Sequence, residues 1–282
     1  GQPIGVDGIR YQIIDDDTFD GEIIYEAHTD EQGYFDITTC WDDCDISGCD
    51  DPDVYLRFIC DTGVVSVQDD DTSEFYVWST IDSLIFNDSG SGDIDFGVQR
   101  PADANDFPLL HMHNSMVRTH RYVAESTGYV SAQVAVVYQT ANGAFYRASE
   151  NAIYIGPDEQ WNEGTQVHEW GHHLLYEWTA PVLPSYCNGY CDDNNAGNCG
   201  PGETCISNGG HCIWCAETDT DAWNEGFPDW LGSVVMRIWQ GRYGGPMPTA
   251  INDTRYTLEV LQNCCDGTAH NALTTEGWVA AL

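Results

Sequence analysis

Residues 166–175 read QVHEWGHHLL, and the fold turns on whether they form a metal-binding helix or an ordinary histidine-rich turn. His168 and His172 stand four apart, with Glu169 between them. On an α-helix, positions i and i+4 lie one turn apart on the same face, so both imidazoles can reach one ion. Zn2+ favours such ligands, and its catalytic sites hold three protein ligands with a fourth position open to water. Glu169 is rotated about 100° from His168, beside an ion rather than on it, where a general base for an attacking water belongs. Gly171 removes side-chain bulk from that turn and permits close packing behind it. Taken alone, the motif leaves the plainer reading open: a helix with a few surface histidines.

A third ligand has to come from elsewhere, and DAWNEGFPDWLGSVV (221–235) offers one where a second amphipathic helix begins. Glu225 and Asp229 are one helical turn apart there, and Glu225 can complete a ligand set. Asp229 can accept the far N–H of a ligating histidine, fixing its tautomer and raising its basicity. Together the two motifs resemble those of the gluzincins, the thermolysin-like zinc metallopeptidases, which carry H-E-x-x-H on one helix and N-E-x-x-x-D on the next. The resemblance implies a Zn2+ cofactor, with His168, His172 and Glu225 as its ligands, Glu169 as general base, and Asp229 as the partner of a ligand histidine, His168. It covers two helices and, loosely, the strands before them. The chain departs from thermolysin in the longer stretch between His172 and Glu225, and in having too few residues after Glu225 for that enzyme's large helical second lobe. That lobe supplies the family's oxyanion-stabilising histidine. His270, Tyr243 and Tyr256 are the local candidates here, and His270 is carried as the catalytic one.

The 282 residues include 46 acidic and 9 basic ones, for a formal charge of −37, and every basic residue is Arg. Such a surface repels phosphate backbones and anionic headgroups, so nucleic acid and membrane surfaces are poor partners. It suits divalent cations, or a saline medium that screens self-repulsion. Asp-rich stretches at 15–20, 69–71 and 92–97 are either solvated acidic surface, the plainer reading, or hard-oxygen Ca2+ sites, and none has EF-hand spacing. With 42% hydrophobic and 12% aromatic residues, a globular fold is expected despite the charge. No run approaches the roughly 18 apolar residues of a membrane span.

Twelve cysteines cluster at 40, 44, 49 and 60, at 187, 191, 199, 205, 212 and 215, and at 264 and 265. An even, clustered set points to disulfides and to an extracellular protein, secreted or on the cell surface. The competing reading of Cys212-x-x-Cys215 as a zinc or redox motif lacks a second pair at that spacing. Sequons at Asn87 and Asn252 permit glycosylation. A start at Gly1 and an end inside what reads as a new helix (275–282) lead us to expect a trimmed form with residues missing beyond Leu282.

Residues 1–84 read as an antiparallel β-sandwich of short runs: IRYQIID, GEIIYEA, GYFDITT, VYLRFIC, VVSVQ and EFYVWST. TDEQGYFDI (29–37) and DPDVYLRF (51–58) resemble the transthyretin-like, or carboxypeptidase-regulatory-like, sandwiches attached to secreted enzymes; the first four cysteines are expected to staple one edge. NDSGSGDIDFG (87–97) reads as a linker to a second domain at 98–282. There Leu109, Met112, Met116, His120 and Val123 recur at spacings of three and four, an amphipathic helix. His111, His113 and His120 have no partner at ligand spacing and read as packing or surface residues. Strands at 132–139 and 151–156 precede a helix at 161–178, a cysteine-rich insertion at 185–220, a helix at 222–240 and a short one in RYTLEVLQ (255–262). The expected fold class is therefore α+β: an N-terminal sandwich, then a zincin-like metallopeptidase domain with a disulfide-rich insertion.

The expected function is hydrolysis of peptide bonds by a secreted zinc peptidase. Its peptide or protein substrate would lie antiparallel along an edge strand near 144–156. The alternative is a non-catalytic extracellular module, structural or adhesive, that assembles with itself or other partners on a zincin scaffold. The attached β-rich segment, the cysteine-heavy insertion and the lack of an oxyanion lobe favour that alternative. Glu169 opposes it, because a module without catalysis has no use for a base. A protein that only binds Ca2+ leaves both zinc motifs unexplained.

Overall fold

The computed structural model describes residues 5–16, 21–39, 43–45, 48–50, 53–69, 74–80, 85–86, 94–139, 141–179 and 219–243. The strands are β1 (Arg10–Asp15), β2 (Glu22–His28), β3 (Asp43–Asp45), β4 (Gly48–Asp50), β5 (Asp53–Ile59), β6 (Val65–Asp69), β7 (Val77–Ser79), β8 (Ile85–Phe86), β9 (Val134–Tyr138), β10 (Ala144–Arg147) and β11 (Ala152–Ile155). The helices are α1 (Phe107–Thr127), α2 (Glu163–Thr179) and α3 (Asp219–Tyr243). This is an α+β architecture of two main sheets, with no closed barrel among the described residues.

The first sheet is antiparallel, in the order β2-β1-β5-β7, with β8 also paired to β5. Alternation in RYQIID and DVYLRFI sets its faces: Tyr11 pairs with Phe58 and Ile13 with Leu56, while Gln12 pairs with Arg57 on the other side. The expected strand over GYFDITT is irregular chain instead. Its aromatic residue still serves the core: the Phe35 ring sits 4.9 Å from Tyr11, 6.1 Å from Phe58 and 6.4 Å from Phe96. Side chains from irregular segments thus pack on that apolar face.

The second sheet runs β10-β11-β9-β6. β6, β9 and β11 are parallel, and β10 joins β11 antiparallel at the edge. Val65, Val67, Val134, Val136, Ile153 and Ile155 are all fully buried, as the inner residues of a covered parallel sheet must be. β6 belongs to the segment 1–84, yet it pairs with β9 from beyond the expected linker, and one hydrophobic core runs through strands from both sides. Cys60, between β5 and β6, is a free and fully buried thiol whose pKa burial pushes up, so it is not among the expected staples. Cys44 and Cys49 are register partners across β3 and β4, within the Cα separation a disulfide spans. Residues 180–218 and 244–282 lie outside the described residues, and with them most of the cysteine-rich insertion, the RYTLEVLQ helix and Asn252; Asn87 does too.

α1 lies against β6 and β9, α2 against β10 and β11, and α3 crosses α2. Pro108 occupies the first turn of α1, and Gly128, at φ 75, ends it by donating its N–H to the Ala124 carbonyl at 2.8 Å. The N-terminal sheet is pinned to α1 as well: the Asp7 N–H donates to Asn114 Oδ1 at 3.1 Å, and Arg121 grips the Asp7 carboxylate with two nitrogens. Among the described residues, no helix is long and apolar enough to cross a membrane.

Candidate metal centre

α2 starts where Asn162 accepts the Thr165 N–H on its side-chain oxygen at 3.3 Å, a helix cap. Val167, Trp170 and Leu174 then form a fully buried stripe, spaced three and four apart, toward the core. His168 and His172 lie on the neighbouring face and are only half-buried. On α3, Leu231, Val235, Met236 and Trp239 make the matching buried stripe. The two helices meet at Gly171 and Pro228: a Cβ on Gly171 would lie 2.7 Å from the Pro228 Cα. Pro228 has no N–H for the preceding turn, a break in the helical ladder just beyond Glu225. This close crossing brings Glu225 over the histidines.

The three side chains meet. His168 Nε2 is 3.0 Å from His172 Nε2 and 3.4 Å from Glu225 Oε2, and His172 Nε2 is 3.3 Å from the same oxygen. Ligand atoms held about 2.0–2.1 Å from one tetrahedral zinc stand about 3.3 Å from each other. The triangle therefore has the size that one tetrahedral Zn2+ would need, and these three side chains would hold it. Among the described residues this is the group of three or more His, Cys, Asp or Glu side chains close enough to share an ion.

Asp229 sits on the far side of His168, its Oδ1 2.7 Å from Nδ1. A carboxylate only accepts, so Nδ1 carries the hydrogen and the Nε2 lone pair is left for the cluster. Burial alone would lower the His168 pKa; Asp229 above all, with Glu225 and Glu169, overcomes this and holds it well above the ordinary imidazole range. A proton and a metal compete for that nitrogen. Asn224 donates its amide to Glu225 Oε1 at 3.2 Å, which leaves Oε2 facing the histidines. Sequence reading gave Asn224 no role, because contact between adjacent residues leaves no mark in a helical spacing pattern. Glu169 is buried, at 7% exposure, and its charge acts on His168.

The other histidines serve elsewhere. His113 is fully buried, with Nε2 3.1 Å from the Asp7 carbonyl; burial lowers its pKa to about 4, though the carbonyl and Asp61 pull the other way. His120 Nδ1 is 3.0 Å from Ser131 Oγ, and His111 lies 3.4 Å from Glu163 beside the Trp161 ring. His270 and Tyr256 lie outside the described residues, as does the Tyr243 side chain. Of the Asp-rich stretches, residues 17–20, 70–71 and 92–93 also lie outside them. Asp15 accepts the Asp53 N–H at 3.1 Å, and Asp95 accepts that of Gly97 at 2.8 Å, both as backbone partners. Set against known proteins, the sequence matches no family model and no curated protein.

Proposed function

We propose that this chain is an extracellular zinc-dependent peptidase of the gluzincin kind. The observation that carries the reading is the triangle of His168, His172 and Glu225, whose 3.0, 3.4 and 3.3 Å edges suit one tetrahedral zinc. Zinc in such a site polarises a carbonyl and lowers the pKa of water to about 7. The chain's own residues do the rest. Glu169 takes the proton from the attacking water on its carboxylate and hands it to the departing amine. Asp229 keeps His168 in the tautomer that offers Nε2, and Asn224 holds Glu225 so that Oε2 faces inward. Among the described residues β10 is the outer strand of its sheet, packed beside α2, and its outer edge suits an extended peptide added antiparallel.

The test is zinc content and casein turnover of wild type beside Glu225→Ala and Glu169→Gln. Wild type should hold about one zinc per chain, as three protein ligands permit. Glu225→Ala should lose it, and Glu169→Gln should keep the zinc but not the turnover. No zinc in wild type, after apo protein is offered the metal, sinks the reading. Zinc without any turnover of casein or gelatin favours the non-catalytic module instead.

A further inference from the structure

Asn151 closes the turn between β10 and β11 with φ 50, the one non-glycine residue in the left-handed region among those described. Asparagine tolerates that region better than most residues, and a short amide can bond nearby groups from it. Here the amide reaches three elements. Oδ1 accepts from the Tyr146 hydroxyl of β10 at 3.1 Å and lies 2.9 Å from His173 Nδ1 of α2. Nδ2 donates to the Gln133 carbonyl, just before β9, at 2.7 Å. That last bond fixes which way the amide points, so His173 must be the donor at Nδ1. The Asn151 backbone carbonyl also takes the Ala135 N–H at 3.2 Å.

His173 follows His172 directly, yet it is fully buried and faces the hairpin: its ring meets Tyr146 edge-on at 5.7 Å. One turn on, Glu177 accepts the Ala132 N–H at 2.8 Å and the Tyr129 hydroxyl at 3.1 Å. One face of α2 thus carries the ligand histidines, and another is bolted to the hairpin and to the segment leading into β9. Among the described residues, the polar side-chain tie between β10, whose outer edge would pair with a peptide, and α2 runs from Tyr146 through Asn151 to His173.

We infer that Asn151 is a positioning residue: by joining Tyr146 to His173 it sets the distance between the outer edge of β10 and the His168–His172 pair, and so where an extended peptide lies. The inference rests on the peptidase reading above.

Asn151→Gly keeps the left-handed backbone and removes the amide; Asn151→Asp keeps an acceptor for His173 and Tyr146 but loses the donor to Gln133. Both variants should hold zinc as wild type does. For an extended peptide substrate, KM should rise about tenfold in Asn151→Gly and less in Asn151→Asp, with kcat within about twofold. A smaller folded fraction would lower the apparent kcat and leave KM alone. In the free protein, amides of 144–147 and 152–155 should exchange about tenfold faster in Asn151→Gly, and those of 166–174 at the wild-type rate. An unchanged KM, or exchange that rises equally in both segments, overturns the inference. Absence of turnover by wild type overturns the peptidase reading itself, while the exchange rates, which need no activity, still decide whether Asn151 holds the hairpin.

Discussion

At the scale of single residues, the cluster of His168, His172 and Glu225 depends on groups that lie outside it. Asp229 holds His168 from behind at 2.7 Å, and without it the ring is free to turn and its Nε2 is a weaker ligand. Asp229→Ala should therefore lower zinc affinity about 10–100-fold, read by competition with a chromogenic chelator. Affinity equal to wild type would mean the hydrogen bond is incidental. His168, His172, Glu225 and Asp229 were legible in the sequence because helical periodicity turns a spacing of four into a shared face. Asn224 was legible only as the first position of the second motif, its bond to its immediate neighbour unforeseen, and Asn151 not at all, because it acts through a turn whose partners lie on β10, α2 and the approach to β9.

At the scale of elements, the centre exists because α2 and α3 approach closely at Gly171 and Pro228. In a helix interior, Gly→Ala ordinarily stabilises by about 1 kcal/mol. At Gly171 the new Cβ would meet backbone 2.7 Å away, so α3 must move and Glu225 with it. Overpacking of this sort costs about 1–3 kcal/mol. Gly171→Ala should lower both the thermal midpoint and zinc affinity. Gly241→Ala, where nothing lies within 4 Å, should raise the midpoint and leave zinc alone. If the two variants behave alike, the crossing is looser than these distances say. Sequence patterns located most strands and all three helices, since both periods are written into the chain. They could not tell that β6 leaves the first sheet for the second: a run such as VVSVQ fits either sheet, and the choice is made by β9, far along the chain. Nor could they tell that 33–39 is irregular, because an aromatic residue that packs on a sheet looks like one within it.

At the scale of the whole molecule, α1 links the N-terminal sheet to α2, and His113 is a buried titratable group at that junction. Its ring is fully buried, with Nε2 on the Asp7 carbonyl, and no hydrogen-bond partner is present at Nδ1 among the described residues. Protonation would bury an unsatisfied N–H and a charge, which is why burial takes the pKa down to about 4, with His28 adding to the fall and the Asp7 carbonyl and Asp61 opposing it. An unfolded histidine titrates at about 6.5, so between that pH and about 4 the unfolded chain binds a proton that the folded one refuses. Stability from this group is thus complete above about pH 6.5 and falls as pH drops toward 4, by about 3 kcal/mol across the window. The formal charge of −37 works the other way at its lower end, since carboxylates that become protonated there repel one another less. Comparing His113→Gln with wild type separates the two, because the surface charge is common to both. Denaturant midpoints at pH 7 and pH 5 should fall more for wild type than for His113→Gln. Equal falls would place the acid sensitivity in the carboxylates, and the buried ring between sheet and helix would then be packing alone.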